Sequence, residues 1–152
     1  MDNLELPLCI EQKFADAIGT QYSTDSKPLI LAVDDDEDNL LLLAYCLEPL
    51  GCSLLTAVDG MMALSLARSY QPDLILLDVL MPFMNGIEVV SQLRKDTKTK
   101  AIPVIAGTAL AIAEDRERLL RVGFNDYISK PYMLEDIEAV VRRYLRLRVP
   151  IS

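Results

Sequence analysis

The sequence predicts an open α/β fold, a parallel sheet with helices packed on both faces. Three observations carry that prediction. From Pro28 onward, short apolar runs alternate with amphipathic segments. Strand starts recur about every 20–30 residues, the length of one strand–helix unit. The run Leu74–Leu77 is continuously apolar, as a strand buried on both faces should be.

Residues 1–27 differ in character from the rest of the chain. Ile10, Phe14 and Ile18 fall at i, i+4 and i+8 before Gly19. That pattern fits a short helix packed on the domain or on a partner chain, and it also fits a frayed tail. Gln21–Lys27 is polar and reads as a linker. Residues 28–148 read as one domain, with 149–152 as a tail. Leu29–Val33 is the first strand, and Asp36–Leu50 a helix that Gly51 closes. Ser53–Ala57 is the second strand, followed by a helix over Gly60–Tyr70 with Asp59 before it as a cap. Leu74–Leu77 is the third strand, and a Pro-containing loop leads to a helix over Gly86–Lys95. Pro103–Gly107 is the fourth strand, with a helix near Ala111–Val122 that Gly123 closes. Asn125 and Asp126 read as turn residues. Asp126–Ser129 also forms a short fifth strand, and Leu134–Arg148 the last helix.

Composition narrows the chemistry. A chain of 152 residues, 51% apolar and 25% charged, suits one globular domain. No apolar run reaches the roughly 18 residues of a membrane span. Asp2 and Glu5 stand where a secretory signal would be basic. Cys9, Cys46 and Cys52 are odd in number and lack metal-ligand spacing, which suits a reducing cytoplasm. A net charge of −8 argues against a general affinity for nucleic acid. With no histidine anywhere, Ser-His-Asp and Cys-His catalysis, His metal sites and a phosphohistidine-carrier role are all excluded.

In a parallel sheet of this kind ligands bind beyond the carboxyl ends of the strands. The first strand ends in Asp34, Asp35 and Asp36, and the third in Asp78. The fourth ends in Thr108, and the fifth is followed by Lys130-Pro131. Taken alone, Asp78 is either a site acid or a turn or capping residue. Taken together, carboxylates, a hydroxyl and an ammonium converge. Two carboxylates about 5 Å apart repel by roughly 3 kcal/mol at an effective dielectric near 20. A lysine offsets one charge, and a hard divalent cation such as octahedral Mg²⁺ offsets more. With such groups to hold phosphoryl oxygens, Asp78 becomes a plausible nucleophile for phosphoryl transfer.

The segments LILAVDDD, LILLDVLMPFMNG, PVIAGTAL and DYISKPY occur together in this order. In order and separation they resemble the receiver (CheY-like) domain of two-component response regulators, over about residues 28–148. The resemblance implies a doubly wound, flavodoxin-like sheet of five parallel strands in the order 2-1-3-4-5. It implies that Asp34 and Asp35 hold Mg²⁺ with Asp78 and the Leu80 carbonyl, and that Asp78 accepts the phosphoryl group. Thr108 would be the switch hydroxyl, Lys130 the phosphoryl-pairing lysine, and Tyr127 the aromatic switch. Lys130-Pro131 would be a cis peptide. The implied function is that of a single-domain response regulator. Its phosphodonor would be a sensor histidine kinase or histidine phosphotransfer protein, and its output contact with a downstream protein.

Other residues have plainer explanations. Asp36 reads as a helix cap, Tyr45 and Tyr70 as core or rim, and Met81, Phe83 and Met84 as packing residues or partner contacts. Arg142, Arg143, Arg146 and Arg148 read as a solvated face that complements the helix dipole. Leu134, Ile137, Val141 and Tyr144 form the core stripe of the last helix. Val140, Leu145 and Leu147 add an apolar flank beyond it. The resemblance makes the fourth helix, fifth strand and last helix a signalling surface, and the extra flank suggests a homodimer there. Three departures from the family stand out: Asn85 in place of the frequent Asp, small Gly107 before Thr108, and apolar Leu80 and Leu110. Gly107 is expected to loosen the strand end, and the two leucines to make phosphate loss slow to moderate. The rivals are a vestigial binding module and a haloacid-dehalogenase-type phosphatase. The latter resembles Asp-x-Asp after its strand, where this chain has Asp78-Val79-Leu80.

Overall fold

Leucine, isoleucine and valine fill the central strands, and burying each such side chain contributes about 1.5–3 kcal/mol. That offsets the roughly 1–2 kcal/mol needed to order each backbone residue. The computed structural model describes residues 27–109 and 113–145. The expected N-terminal helix over Ile10, Phe14 and Ile18 lies outside the described residues, as do Leu110, Arg146, Leu147 and Arg148.

Strands β1 (Leu29–Val33), β2 (Ser53–Ala57), β3 (Leu74–Asp78), β4 (Val104–Thr108) and β5 (Asp126–Ser129) form one sheet in the order β2-β1-β3-β4-β5. All four pairings are parallel. Every residue of β1, β3 and β4 is buried, whereas the edge strands β2 and β5 are only partly so. The helices are α1 (Glu37–Leu47), α2 (Gly60–Tyr70), α3 (Gly86–Lys95), α4 (Ala113–Val122) and α5 (Leu134–Tyr144). Leu40, Leu43 and Leu47 of α1 join Ile137, Val140 and Val141 of α5 in one core. Ala63 and Ala67 of α2, Val89, Val90 and Leu93 of α3, and Leu119 of α4 build the other. The two cores contain alternate residues of the central strands, so the expected doubly wound architecture is observed. Because β1 lies between β2 and β3, the strand order reverses there and opens a crevice at the carboxyl edge.

Several expected boundaries shift for local reasons. Helix α1 ends at Leu47, and Glu48–Leu50 is a separate 3-10 turn containing Pro49. A proline has no N–H to donate and clashes with the preceding turn, so the α-helix stops there. Asp126 is the first residue of β5 and accepts an ion pair from Arg143 at 2.7 Å. It is not simply a turn residue. In α5 the buried residues are Ile137, Val140 and Val141, followed by Leu145, while Leu134 in the first turn is 52% exposed. The core stripe therefore differs from the expected one, and Val140 and Leu145 belong to the domain's own interior. Asn85 caps α3 through a reciprocal bond pair with Glu88, each 3.0 Å, the work an Asp would do there. Asp36 and Asp59 cap α1 and α2 as expected. Tyr45, however, is exposed.

Arg94 ties the far side of the sheet together. Its guanidinium donates to the carbonyls of Gly123, Lys100 and Ile102 and to Asn125 Oδ1, at 2.7–3.0 Å. Burial lowers its pKa, and these acceptors are uncharged. Truncation leaves several half-buried carbonyls without a donor, each costing about 1–3 kcal/mol. Arg94→Met is therefore expected to lower stability by about 2–4 kcal/mol in urea unfolding, with an unchanged m-value. A loss below about 0.5 kcal/mol would contradict this role.

Candidate functional site

Asp34 follows β1 directly, where its backbone N–H donates to the Ala57 carbonyl across the sheet at 3.1 Å. The side chain is fully buried. Its Oδ1 accepts from the Asp36 N–H at 2.9 Å and its Oδ2 from Asn39 Nδ2 at 3.1 Å. Asp35, its neighbour, is exposed. Asp78 is the last residue of β3, opposite Gly107, and is 3% exposed. Its Oδ1 accepts from the Leu80 N–H at 3.2 Å. The loop beyond returns close to this point because Gly86 has no side chain. A Cβ there would lie 2.5 Å from the Asp78 carbonyl oxygen, and the Gly86 N–H donates to the Val79 carbonyl at 2.8 Å.

Lys130 closes the site from β5. Its ammonium lies 3.0 Å from Asp34 Oδ2 and 3.0 Å from Asp78 Oδ1. The backbone turns here through a cis Lys130-Pro131 peptide, as the resemblance implied, and the Lys130 N–H donates to the Thr108 carbonyl at 2.8 Å. Thr108 is buried at the end of β4, opposite Ser129. Tyr127 sits two residues before that end, opposite Ala106, partly packed on the core under α2 and α3. The Arg116 guanidinium lies 6.0 Å from its ring.

Carboxylate oxygens of Asp34, Asp35 and Asp78 all lie within 4.8 Å of one another. Octahedral Mg²⁺ takes oxygens at about 2.0–2.1 Å, so ligands on opposite sides stand about 4.2 Å apart. The three oxygens lie close enough together to face one ion, and an all-oxygen set suits a hard cation. The residues present therefore fit a divalent ion. Burial is the main force on Asp78 and pushes its carboxyl up. Lys130 pulls it back, Asp34 adds to the rise, and the net value is about 6. For Lys130, burial alone favours the neutral amine, but the bonds to Asp34 and Asp78 outweigh it and raise its pKa. Near neutral pH the site thus holds three carboxylates and one ammonium, an excess of two negative charges.

Two residues of this neighbourhood have no role that the sequence predicts. Asn39, one turn into α1, orients Asp34. Its position three residues after the cap Asp36 is the only sequence signal it has. Tyr132 is buried at 5% exposure, with the Lys130 ammonium 5.7 Å from its ring. A Cβ on Gly107 would overlap its hydroxyl and stand 3.0 Å from its Cζ. Gly107 is therefore a filled place, occupied by a tyrosine from the next strand's loop, and the expected loosening of β4 is replaced by this contact. Leu80 is exposed beside the site.

Comparison with known proteins agrees with this geometry. A family model described as the response regulator receiver domain matches residues 30–142. The polar-differentiation response regulator DivK of Brucella anthropi is 38% identical over 116 residues, covering 76% of this chain and 94% of DivK. The sensor histidine kinase CheAY of Helicobacter pylori is 37% identical over 127 residues, which are 82% of this chain but only 16% of that longer protein. The crystal structure of the receiver domain of the Pseudomonas aeruginosa sensor histidine kinase PA1611, with magnesium coordinated in its active-site cleft, superposes with a TM-score of 0.71. It is 30% identical, and the match covers 78% of this chain and 97% of that one.

Asp78 titrates in the fold near 6 against an ordinary 3.8, so its proton is held more tightly when folded. Its contribution to stability is present below pH 4 and is lost as pH rises through about 6. With divalent ions chelated, Asp78→Asn is expected to be more stable than the unsubstituted protein at pH 7.5 by about 1–3 kcal/mol. The gain should shrink toward zero as pH falls from 6 to 4. A gain that is independent of pH, measured by thermal or urea unfolding, would contradict the assignment.

Proposed function

Because the chain belongs to the response regulator receiver domain family, we propose that it is a single-domain response regulator. Its Asp78 accepts a phosphoryl group from a sensor histidine kinase or a histidine phosphotransfer protein, and the modification switches a protein-interaction surface. The observation that carries this reading is the convergence of Lys130, Asp34 and Asp78 at 3.0 Å with Asp35 alongside. The match to DivK, a response regulator covered over 94% of its length, supports the response-regulator reading. The 152 residues contain no histidine, so the donor phosphohistidine is proposed to lie outside them.

The chemistry rests on the donors and acceptors present. An Asp78 carboxylate oxygen attacks the phosphorus, the bond from phosphorus to the donor imidazole nitrogen breaks, and an acyl phosphate forms. Buried at the base of the crevice, Asp78 meets the donor from one direction only, which favours in-line displacement. Asp34, Asp35, Asp78 and the Leu80 carbonyl would hold a Mg²⁺ ion, which when bound supplies positive charge against the phosphoryl oxygens. Once Asp78 is an acyl phosphate its carboxyl no longer carries the negative charge that pairs with Lys130, and the ammonium is left to pair with a phosphoryl oxygen. Hydrolysis of the acyl phosphate by water returns the carboxylate, and exposed Leu80 beside the site is the residue proposed to slow that water's access.

Switching is assigned to Thr108 and Tyr127. Thr108 ends the strand next to Asp78, and its hydroxyl is the group proposed to bond the phosphoryl oxygens. Tyr127 is only partly buried, and its ring is the group proposed to turn inward when Thr108 moves. Reversing a 1:99 equilibrium takes about 5.5 kcal/mol of differential stabilisation. Two charge-assisted bonds at roughly 1.5–3 kcal/mol each approach that value. The output face is α4, β5 and α5, for a target protein or a second copy of this chain. Leu120, Met133 and Leu134 are the exposed apolar residues there, whereas Val140 and Leu145 are spent on the core. A haloacid-dehalogenase-type phosphatase is disfavoured because Val79 is apolar and buried and Leu80 carries no acid.

Incubation with a small phosphodonor and Mg²⁺ is expected to label the protein once, on Asp78, and Asp78→Asn should remain unlabelled by intact mass spectrometry. Steady turnover of a generic phosphate ester, or labelling that survives in Asp78→Asn, would overturn the proposal. The acyl phosphate should persist for minutes or longer, and decay within seconds would contradict the role given to Leu80.

A further inference from the structure

Gly107 and Tyr132 interlock at a place that matters. Gly107 pairs in register with Asp78 on one side and with Ile128 on the other. It therefore lies between the strand that carries the acceptor and the strand that leads to Lys130. Any side chain on Gly107 would collide with the Tyr132 hydroxyl and press on its ring, with Cζ at 3.0 Å and Cε1 at 3.2 Å. The phenol fills that space instead. It is buried among Ile105 and Ile128 of the sheet and Ile137 of α5, so it has little freedom to move. The Lys130 ammonium lies 5.7 Å from the ring centroid, inside the range of a cation–π contact. The lysine is held by the two carboxylates on one side and faces the aromatic ring on another.

We infer that Tyr132 is a positioning residue for Lys130, its ring wedged into the space left by Gly107 and bracing the ammonium between Asp34 and Asp78. This rests on the phosphoacceptor reading for its consequence, but not for its geometry. The brace has two effects of opposite sign. Holding the ammonium in place favours phosphoryl transfer, because the charge is already where phosphoryl oxygens arrive. It also keeps a positive charge beside the carboxylates that would take a cation, and so weakens divalent-ion binding. Displacing the ring should then slow labelling and tighten Mg²⁺ binding together. General damage to the site would instead weaken both.

The test compares the full chain with Gly107→Ala, Tyr132→Phe and the double variant. Mg²⁺ affinity is read by calorimetry, and the labelling rate of Asp78 with phosphoramidate at saturating Mg²⁺. Gly107→Ala pushes the ring away and is expected to label about tenfold more slowly. It should bind Mg²⁺ about threefold more tightly. Tyr132→Phe keeps the ring and should stay within about twofold on both measures. The double variant, having lost the colliding hydroxyl, should recover to within about threefold of the unsubstituted rate. Should Gly107→Ala fail to fold, Tyr132→Leu removes the ring without adding a methyl, and the same paired changes are expected. The inference is overturned if rate and Mg²⁺ affinity fall together, if neither changes, or if the double variant is no faster than Gly107→Ala. Absence of any label on the unsubstituted protein would instead refute the phosphoacceptor reading, and the Mg²⁺ affinities would still decide whether the brace exists.

Discussion

A single ammonium between two buried carboxylates is the constraint on which this site depends. Lys130 reaches Asp34 and Asp78 at equal distance, and among the described residues it is the cation that bridges them. With Asp35 added, one lysine stands against three negative charges. Repulsion of roughly 3 kcal/mol per close carboxylate pair makes that arrangement costly. The rise of the Asp78 carboxyl to about 6 reflects burial first and the neighbouring Asp34 after it. A site left short of positive charge is one that a cation and a phosphoryl group can complete.

The fold creates the shortage. Parallel strands deliver their carboxyl ends to one edge, and the order β2-β1-β3-β4-β5 brings Asp34 and Asp78 to adjacent strands across the reversal point. Burial of Asp34 and Asp78 at the ends of apolar strands limits the screening of their two charges by water. Close approach is arranged by glycines: Gly86 lets the loop after Asp78 turn back on its backbone, and Gly107 makes room for Tyr132. Stability elsewhere, as in the carbonyl cluster around Arg94, is kept apart from this edge.

Strand positions and the acids at their ends were legible in the sequence, because buried parallel strands write themselves as apolar runs and the site begins where each run stops. Asp34, Asp78, Thr108 and Lys130 were found in that way. What was not legible depends on contacts between distant residues. The end of α1 is set by Pro49, a local rule that the helical pattern across Leu40–Leu50 masked. Which face of α5 is buried depends on how the helix lies on the sheet, so Val140 and Leu145 looked surplus when they are core. Gly107 looked like a weakness because its partner is Tyr132, on the far side of β5, and spacing alone cannot pair a missing side chain with the one that replaces it. Asn39 gives no sign of its bond to Asp34 until the helix is turned toward the site.

If Asp34, Asp35 and Asp78 form a pocket short of positive charge, Mg²⁺ must stabilise the fold through them. Thermal unfolding as a function of Mg²⁺ concentration tests this most directly. A ligand that binds only the folded state adds about 2.7 kcal/mol at one hundred times its Kd. The midpoint is expected to climb with Mg²⁺ for the unsubstituted chain and to stay nearly level for Asp78→Asn. A level midpoint in the unsubstituted chain, or an equal climb in both, would contradict the pocket's role.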